Sequence, residues 1–321
     1  MFEEQQQQLP FAPRVALGVA ALLLALAGAA FWHGPSRAPV SAPRHQAATP
    51  LLARLPGAPL PEVRAEAVAV VRLRGDEVLF AKNAEARLPI ASITKLMTAL
   101  VFADAVEPLT PVAISDSAKR VGEEDEKRSS LPAGERVKAE DLLKLLIISS
   151  DGDAAYAAAE YLGGMDAPER MLFQEKIARF VERMNTRARE MGLANTRFAN
   201  PSGMDGPENF SSTTDLVRIA REITERHPEL WSMSRTQESF IFGGTGKRYG
   251  VVNTNPLLAE FPAIYGSKTG FEDEAKGALL MLYELAPDER IAIVLLRSPD
   301  RFADGRALIQ WIENSFAIAP R

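Results

Sequence analysis

The pattern of apolar and polar positions divides the chain into four stretches. Residues 1–14 are polar, with glutamine from Gln5 to Gln8 and the acids Glu3 and Glu4. Residues 15–32 then carry no charge for 18 positions, about 27 Å as a helix and just enough to cross a hydrocarbon layer. Residues 33–61 are Ala- and Pro-rich with scattered Arg. Such a composition buries too little apolar surface to fold and favours an extended polyproline tether. Regular periodicity begins near Glu62 and runs through residues 62–321.

Within that last stretch, residues 67–73 and 77–81 are short β-prone runs joined by Arg74-Gly75-Asp76, which predicts a hairpin. Helical spacing dominates from about Leu109 to Trp231, most clearly at 139–148, 154–162, 169–191 and 214–225. Residues 123–128 mix both signs of charge and read as a solvated loop. Strand patterns return at 239–242, 264–270, 277–285 and 291–297, and 301–316 closes the chain as a helix. Strands at both ends with helices between predict an α+β fold. Its antiparallel sheet is built from both ends of the domain and flanked by helices, with an inserted all-helical lobe. There is no internal repeat and no nucleotide-binding glycine pattern.

Composition narrows the chemistry. A 46% hydrophobic and 25% charged chain is that of an ordinary globular protein, and a net charge of -5 offers nothing for nucleic acid. Without cysteine, a thiolate nucleophile and a thiolate metal site are excluded. Two of the three histidines, His33 and His45, fall in the tether, and the remaining His227, followed by Pro228, reads as a helix-end residue. A Ser-His-Asp triad and a two-histidine zinc site are therefore disfavoured, and no metal or cofactor is expected. Residues 15–32 read as a retained anchor, because Glu3 and Glu4 make a poor signal-peptide start and Trp32 suits an interface. Cleavage around Ala27-Gly28-Ala29 is the alternative. Either way residues 1–14 begin in the cytoplasm and the catalytic part lies outside it, with the cytoplasmic membrane as a partner. The chain stops soon after its closing helix, which fits anchoring from the N-terminus.

The stretch Pro89-Ile90-Ala91-Ser92-Ile93-Thr94-Lys95-Leu96-Met97 holds a hydroxyl and an amine three residues apart at the start of an apolar helix. Residues i and i+3 share a helix face, so Lys95 stands within reach of Ser92. Desolvation and a nearby cation can make such a lysine a base for a serine nucleophile. An isolated S-x-x-K also fits a helix-capping serine and a solvated lysine. Two further stretches add weight: Ser149-Ser150-Asp151-Gly152-Asp153 in a turn between helices, and Gly266-Ser267-Lys268-Thr269-Gly270-Phe271 on a strand. S-x-x-K, a serine-containing turn and K-T-G, in that order, form the signature of penicillin-interacting serine enzymes.

On these residues the chain resembles the serine D-alanyl-D-alanine carboxypeptidases, the low-molecular-mass penicillin-binding proteins, over about residues 67–296. Residues 88–101, 141–159, 196–205 (TRFANPSGMD), 212–216, 253–258 and 266–275 all look like segments of that family. The N-P-S-G-M-D stretch separates it from class A β-lactamases, and no E-x-x-L-N segment is apparent. The resemblance implies a serine β-lactamase/transpeptidase-like fold and removal of the terminal D-alanine from peptidoglycan stem peptides. It also implies β-lactam antibiotics as acylating inhibitors.

By the same resemblance Ser92 is the nucleophile, Lys95 its base, and Ser150 the proton relay to the leaving amine. Lys268 and Thr269 hold the substrate carboxylate, and the N–H groups of Ser92 and Phe271 form the oxyanion hole. Gly270 leaves room for substrate along the strand. The family's middle motif is Ser-x-Asn, whereas here the turn reads Ser150-Asp151-Gly152. Either Asp151 or Asp153 replaces the missing amide or activity is reduced, and a shifted register would make Ser149 the relay. Asn200, Ser202 and Asp205 read as loop-structuring residues. An endopeptidase, a β-lactamase, and a wall-binding protein with weakened catalysis are the alternatives on the same fold.

Overall fold

Five apolar strands form one antiparallel sheet, and their alternation buries both of its faces. In chain order they are β1 (Ala67–Arg72), β2 (Glu77–Lys82), β3 (Ile264–Glu272), β4 (Lys276–Ala286) and β5 (Glu289–Ser298). In space they run β3-β4-β5-β1-β2, so the two ends of the domain meet where β1 lies against β5. Successive side chains point to opposite faces. Val68, Val70, Leu279, Met281, Ile293 and Leu295 therefore enter one core, and Ala67, Ala69, Leu280, Leu282, Val294 and Leu296 the other. This is a computed structural model that describes residues 51–121, 130–168 and 170–319.

Helices close both faces. Leu308, Ile309, Trp311 and Ile312 of the last helix (Arg301–Ser315) seal the first core. The second core continues into the helical lobe through α1 (Lys95–Ala103), α2 (Gly152–Gly164), α3 (Phe173–Glu190) and α4 (Thr213–Arg226). Every residue of α1 from Lys95 to Phe102 is buried. A helix apolar on all sides belongs at the centre of a domain, and here it carries a lysine there. The expected α+β architecture, with its sheet from both ends and its helical lobe between, is the one observed.

Regular structure is present within the stretch that composition assigns to the tether. Leu51–Arg54 pairs antiparallel with Phe316–Ala319, and Trp311 Nε1 donates to the Pro59 carbonyl at 2.7 Å. The end of the expected tether at 33–61 thus folds against the closing helix. Its partner strand lies more than 250 residues away in sequence, beyond the reach of local composition. The expected helix at 139–148 is also split: Ala139–Lys144 is α-helical, and Leu145–Ser149 widens into a π turn. Glu238–Phe242 does not join the sheet but pairs with Arg248–Val252 as a separate hairpin. Residues 1–14, the apolar stretch 15–32 and the charged loop 123–128 lie outside the described residues. Among the described residues no helix is long and apolar enough to cross a membrane.

Candidate active site

Ser92 sits on a single 3-10 turn, Ala91–Thr94, that feeds directly into α1. Ala91 just before it has φ +48°, a left-handed conformation that costs an L-residue roughly 1–2 kcal/mol. Backbone strain of this kind persists only where surrounding contacts enforce it. Two glycines supply those contacts. A Cβ on Gly203 (φ +98°) would lie 2.0 Å from the Ala91 oxygen and 2.8 Å from Ser92 N. A Cβ on Gly270 would lie 2.9 Å from Ala91 Cβ and 3.0 Å from Ser92 N. A side chain at Gly270 would therefore meet the turn that carries Ser92.

Lys95, 1% exposed, donates through Nζ to Ser92 Oγ at 2.9 Å and to the Ser202 carbonyl at 2.6 Å. The second contact comes from the N-P-S-G loop. Asn200 shapes that loop by accepting from Ser202 N at 3.2 Å and Gly203 N at 2.7 Å while donating to the Met204 carbonyl at 3.0 Å. Thr98, one helical step beyond Lys95, donates to the Pro201 carbonyl at 2.6 Å. Asp205 accepts from Glu274 N at 2.6 Å and so ties the loop to the β3–β4 turn. These residues structure the loop, as expected. The Ser202 carbonyl and Gly203 were not singled out in sequence, because a carbonyl contact and a missing Cβ leave no chemical type to search for.

Ser150 ends the π turn in a left-handed conformation, φ 61° and ψ 37°. Wide turns of this sort are common at functional sites. Here the turn sends the Ser150 hydroxyl to Lys268 Nζ, 2.7 Å away. Ser149 instead donates back to the Leu145 carbonyl at 2.9 Å, so the shifted register does not bring Ser149 to the lysine. Lys268 is also 1% exposed and donates to the Thr269 carbonyl at 2.9 Å. Two buried lysines beside two serine hydroxyls form an arrangement that burial would penalise without those partners.

The strand that carries Lys268 is an edge of the sheet. Ser267 N donates outward to Ser234 Oγ at 2.9 Å. The two-residue repeat of a strand therefore turns the N–H of Thr269 and Phe271 to the same open edge. Thr269 Oγ1 meets Thr254 Oγ1 at 2.6 Å, and Asn255 Nδ2 donates to Ser267 Oγ at 3.0 Å. Phe271 is half exposed, and the Arg301 guanidinium lies 5.5 Å from its ring and 4.4 Å from that of Phe302. Arg301 adds a positive charge that sequence reading missed, since it lies 30 residues further on in a different element.

Gly152 opens α2 and brings no side chain to the site. Asp153 pairs with Lys119 at 2.6 Å, and Asp151 caps α2 by accepting from Ala154 N at 2.9 Å. Asp151 lies in the field of Lys95. Burial drives its carboxyl up to about 7, Asp153 pushes in the same direction, and the Ala154 N–H and the charges of Lys95 and Lys119 oppose the rise. His227, expected to have no chemistry, lies between Asp104 (2.8 Å) and Glu229 (3.0 Å) where α4 ends. Among the described residues no cluster of His, Asp or Glu could hold a metal ion.

Comparison with known proteins agrees with this geometry. Residues 55–298 match the peptidase family described as D-alanyl-D-alanine carboxypeptidase. The carboxypeptidase DacF of Bacillus subtilis is 32% identical over 238 residues, which is 73% of this chain and 58% of that protein. A D-alanyl-D-alanine endopeptidase of Pseudomonas aeruginosa is 32% identical over 272 residues, 82% of each chain. The crystal structure of the Streptomyces K15 DD-transpeptidase superposes with a TM-score of 0.72 at 25% identity, covering 79% of this chain and 98% of that one. The resemblance read from the three motifs is borne out: the chain belongs to the serine D-alanyl-D-alanine carboxypeptidase family.

Proposed function

We propose that this carboxypeptidase releases the terminal D-alanine of peptidoglycan stem peptides through an acyl-enzyme on Ser92. The observation that carries the reading is the pair of contacts from buried lysines to serines, Lys95 to Ser92 at 2.9 Å and Lys268 to Ser150 at 2.7 Å. Lys95, as the neutral amine, takes the Ser92 proton while Oγ bonds to the carbonyl carbon of the penultimate D-alanine. The resulting oxyanion lies between the N–H groups of Ser92 and Phe271, donors fixed before the reaction begins. The C–N bond then breaks, and the leaving amine receives its proton by way of Ser150. Water attacks the ester and frees Ser92.

Lys268, Thr269 and the nearby guanidinium of Arg301 give the end of the strand a positive field suited to the substrate's terminal carboxylate. β-Lactams, whose carboxylate sits beside a strained amide, would acylate Ser92 by the same path. The family acts on the cell wall, and residues 15–32 support a membrane tether with the catalytic part outside the cytoplasm. The Asp151-Gly152 pair does not remove the nucleophile, base or carboxylate cation, so the reading is of an enzyme rather than a pure binding protein.

The test is D-alanine release from a short peptide ending in D-Ala-D-Ala by the full chain in detergent, beside Ser92→Ala. Release that disappears in the variant supports the reading, and no release by folded wild type sinks it. The endopeptidase reading has one observation in its favour, the relative of that description that matches 82% of each chain. Cross-linked muropeptides separate the two, since an endopeptidase yields two monomers and a carboxypeptidase yields free D-alanine.

A further inference from the structure

The hairpin Glu238–Phe242/Arg248–Val252 has one face in the core and one in solvent, and the solvent face is the unusual one. Ile241, Tyr249 and Val251 point inward and are buried. On the other face Phe240, Phe242 and Val252 are 49%, 51% and 57% exposed. The rings of Phe240 and Phe242 meet edge to face with centroids 5.4 Å apart. Gly250 stands opposite Phe240, and a Cβ there would meet nothing within 4 Å. The result is an aromatic shelf with an open floor beside it. Apolar residues gathered on one exposed face and bordered by charge mark a surface that binds something.

Three features identify the occupant. The first is continuity with the active site. The second strand runs on into Asn253 and Thr254, and Thr254 N donates to the Ile148 carbonyl at 3.2 Å, two residues before Ser150. Thr254 Oγ1 also meets Thr269 Oγ1 at 2.6 Å, so a polymer lying on the shelf would lead towards the K-T-G strand. The second is charge. Arg248 lies over Phe240 at 5.3 Å on the shelf itself, exposed Arg136 stands beside the hairpin turn, its carbonyl accepting from Gly244 N, and Lys247 lies over inward-facing Tyr249 and so belongs to the other face. Against these stand Glu238 on the shelf and Glu135, which is occupied by Tyr249 and Gly244. The cationic excess suits a carboxylate-bearing polymer.

The third feature is shape. The turn between the strands is Gly243-Gly244-Thr245-Gly246-Lys247, with no apolar side chain to insert into a bilayer, and the phenylalanines lie along the flat of the hairpin. Exposed aromatic rings suit the C–H faces of sugars, whereas a membrane-inserting hairpin would carry its apolar residues at the tip.

We infer that this hairpin is a docking shelf for the glycan strand of polymeric peptidoglycan, on which Phe240 and Phe242 meet sugars while Arg248 meets carboxylates of the attached peptides. The inference rests on the carboxypeptidase reading for its substrate and deepens it. Phe240 and Phe242 lie outside the catalytic residues, so the shelf serves large substrates and not small ones.

The experiment compares the full chain in detergent with Phe240→Ser/Phe242→Ser on two substrates, a short peptide ending in D-Ala-D-Ala and isolated sacculi. The expected result is unchanged turnover of the short peptide and a fall of about tenfold in D-alanine release from sacculi, the scale that two lost aromatic contacts would give. Equal loss on both substrates, or no loss on either, overturns the shelf. So does loss of binding to phosphatidylglycerol vesicles with sacculus turnover intact, which would make the hairpin a membrane contact. If wild type releases no D-alanine at all, the proposed activity has failed, and the shelf is judged separately by co-sedimentation. Ser92→Ala should then pellet with sacculi, and Ser92→Ala/Phe240→Ser/Phe242→Ser should stay in solution.

Discussion

Lys95 Nζ and the Ser202 carbonyl oxygen lie 2.6 Å apart, although the two residues are separated by 107 positions in the chain. The lysine of the S-x-x-K motif is therefore aimed by a loop as well as by its own helix. Asn200 holds that loop through three backbone contacts, each worth about 1 kcal/mol. Asn200→Ala should let the Ser202 carbonyl drift and slow acylation of Ser92 by a fluorescent penicillin about tenfold or more. The folded state should survive, seen as an unchanged far-ultraviolet dichroism spectrum. Acylation at the wild-type rate would mean that the loop does not aim Lys95.

Gly203 and Gly270 both close on the Ala91–Ser92 peptide, but not equally. The Gly203 contact is with backbone atoms at 2.0 and 2.4 Å, at a positive φ, whereas the Gly270 contacts lie at 2.9 to 3.1 Å. Overpacking typically costs 1–3 kcal/mol, more when the neighbour cannot move. Gly203→Ala should lower the melting temperature more than Gly270→Ala, and both should slow acylation. Gly206→Ala, where a Cβ meets nothing within 4 Å, is the control and should be near neutral. The reverse order would show that the strand, not the loop, sets the turn.

Asp151 gives a pH dependence of stability with a definite sign. Its folded carboxyl is raised to about 7 by burial, well above the unfolded value of about 3.9. Between those two pH values the folded state binds the proton that the unfolded state has lost. The Asp151 contribution to stability is therefore full below about pH 4, falls as pH rises, and levels off above about 7. Asp151→Asn keeps an oxygen to accept from Ala154 N but carries no charge. Its melting temperature relative to wild type should rise from pH 4 to 7 and then stay constant. A difference independent of pH would place the Asp151 titration outside this window.

Much of this was legible in the sequence because it rests on local pattern. The strands at both ends, the hairpin at Arg74-Gly75-Asp76 and the helical middle follow from periodicity, and Ser92, Lys95, Ser150 and Lys268 from residue type in a fixed order. What stayed hidden depends on distant partners. Leu51–Arg54 becomes a strand only because Phe316–Ala319 lies beside it. The Ser202 carbonyl acts through the backbone, so its side chain gives no clue. Gly270 stood out in sequence as a glycine, but its close approach to the Ala91–Ser92 turn needed coordinates. The split of residues 139–148 into an α-helix and a π turn has no signature in an uninterrupted apolar pattern.

On the proposed mechanism, Lys268 separates carboxylate recognition from nucleophile activation. Its Nζ donates to Ser150 Oγ at 2.7 Å and to the Thr269 carbonyl at 2.9 Å, whereas Lys95 serves Ser92. Removing one preorganised hydrogen-bond donor from an active site typically costs about 10²–10³ in rate. Lys268→Ala should therefore lower kcat/KM for a D-Ala-D-Ala peptide by about that factor. The sharper readout is selectivity. Wild type should prefer the free C-terminal carboxylate over its amide, and in Lys268→Ala that preference should collapse because the cation that distinguishes the two is gone. If the variant is slow but still strongly prefers the free acid, the carboxylate is held elsewhere. Arg301, stacked on Phe271 at the end of the same strand, is then the residue to change next.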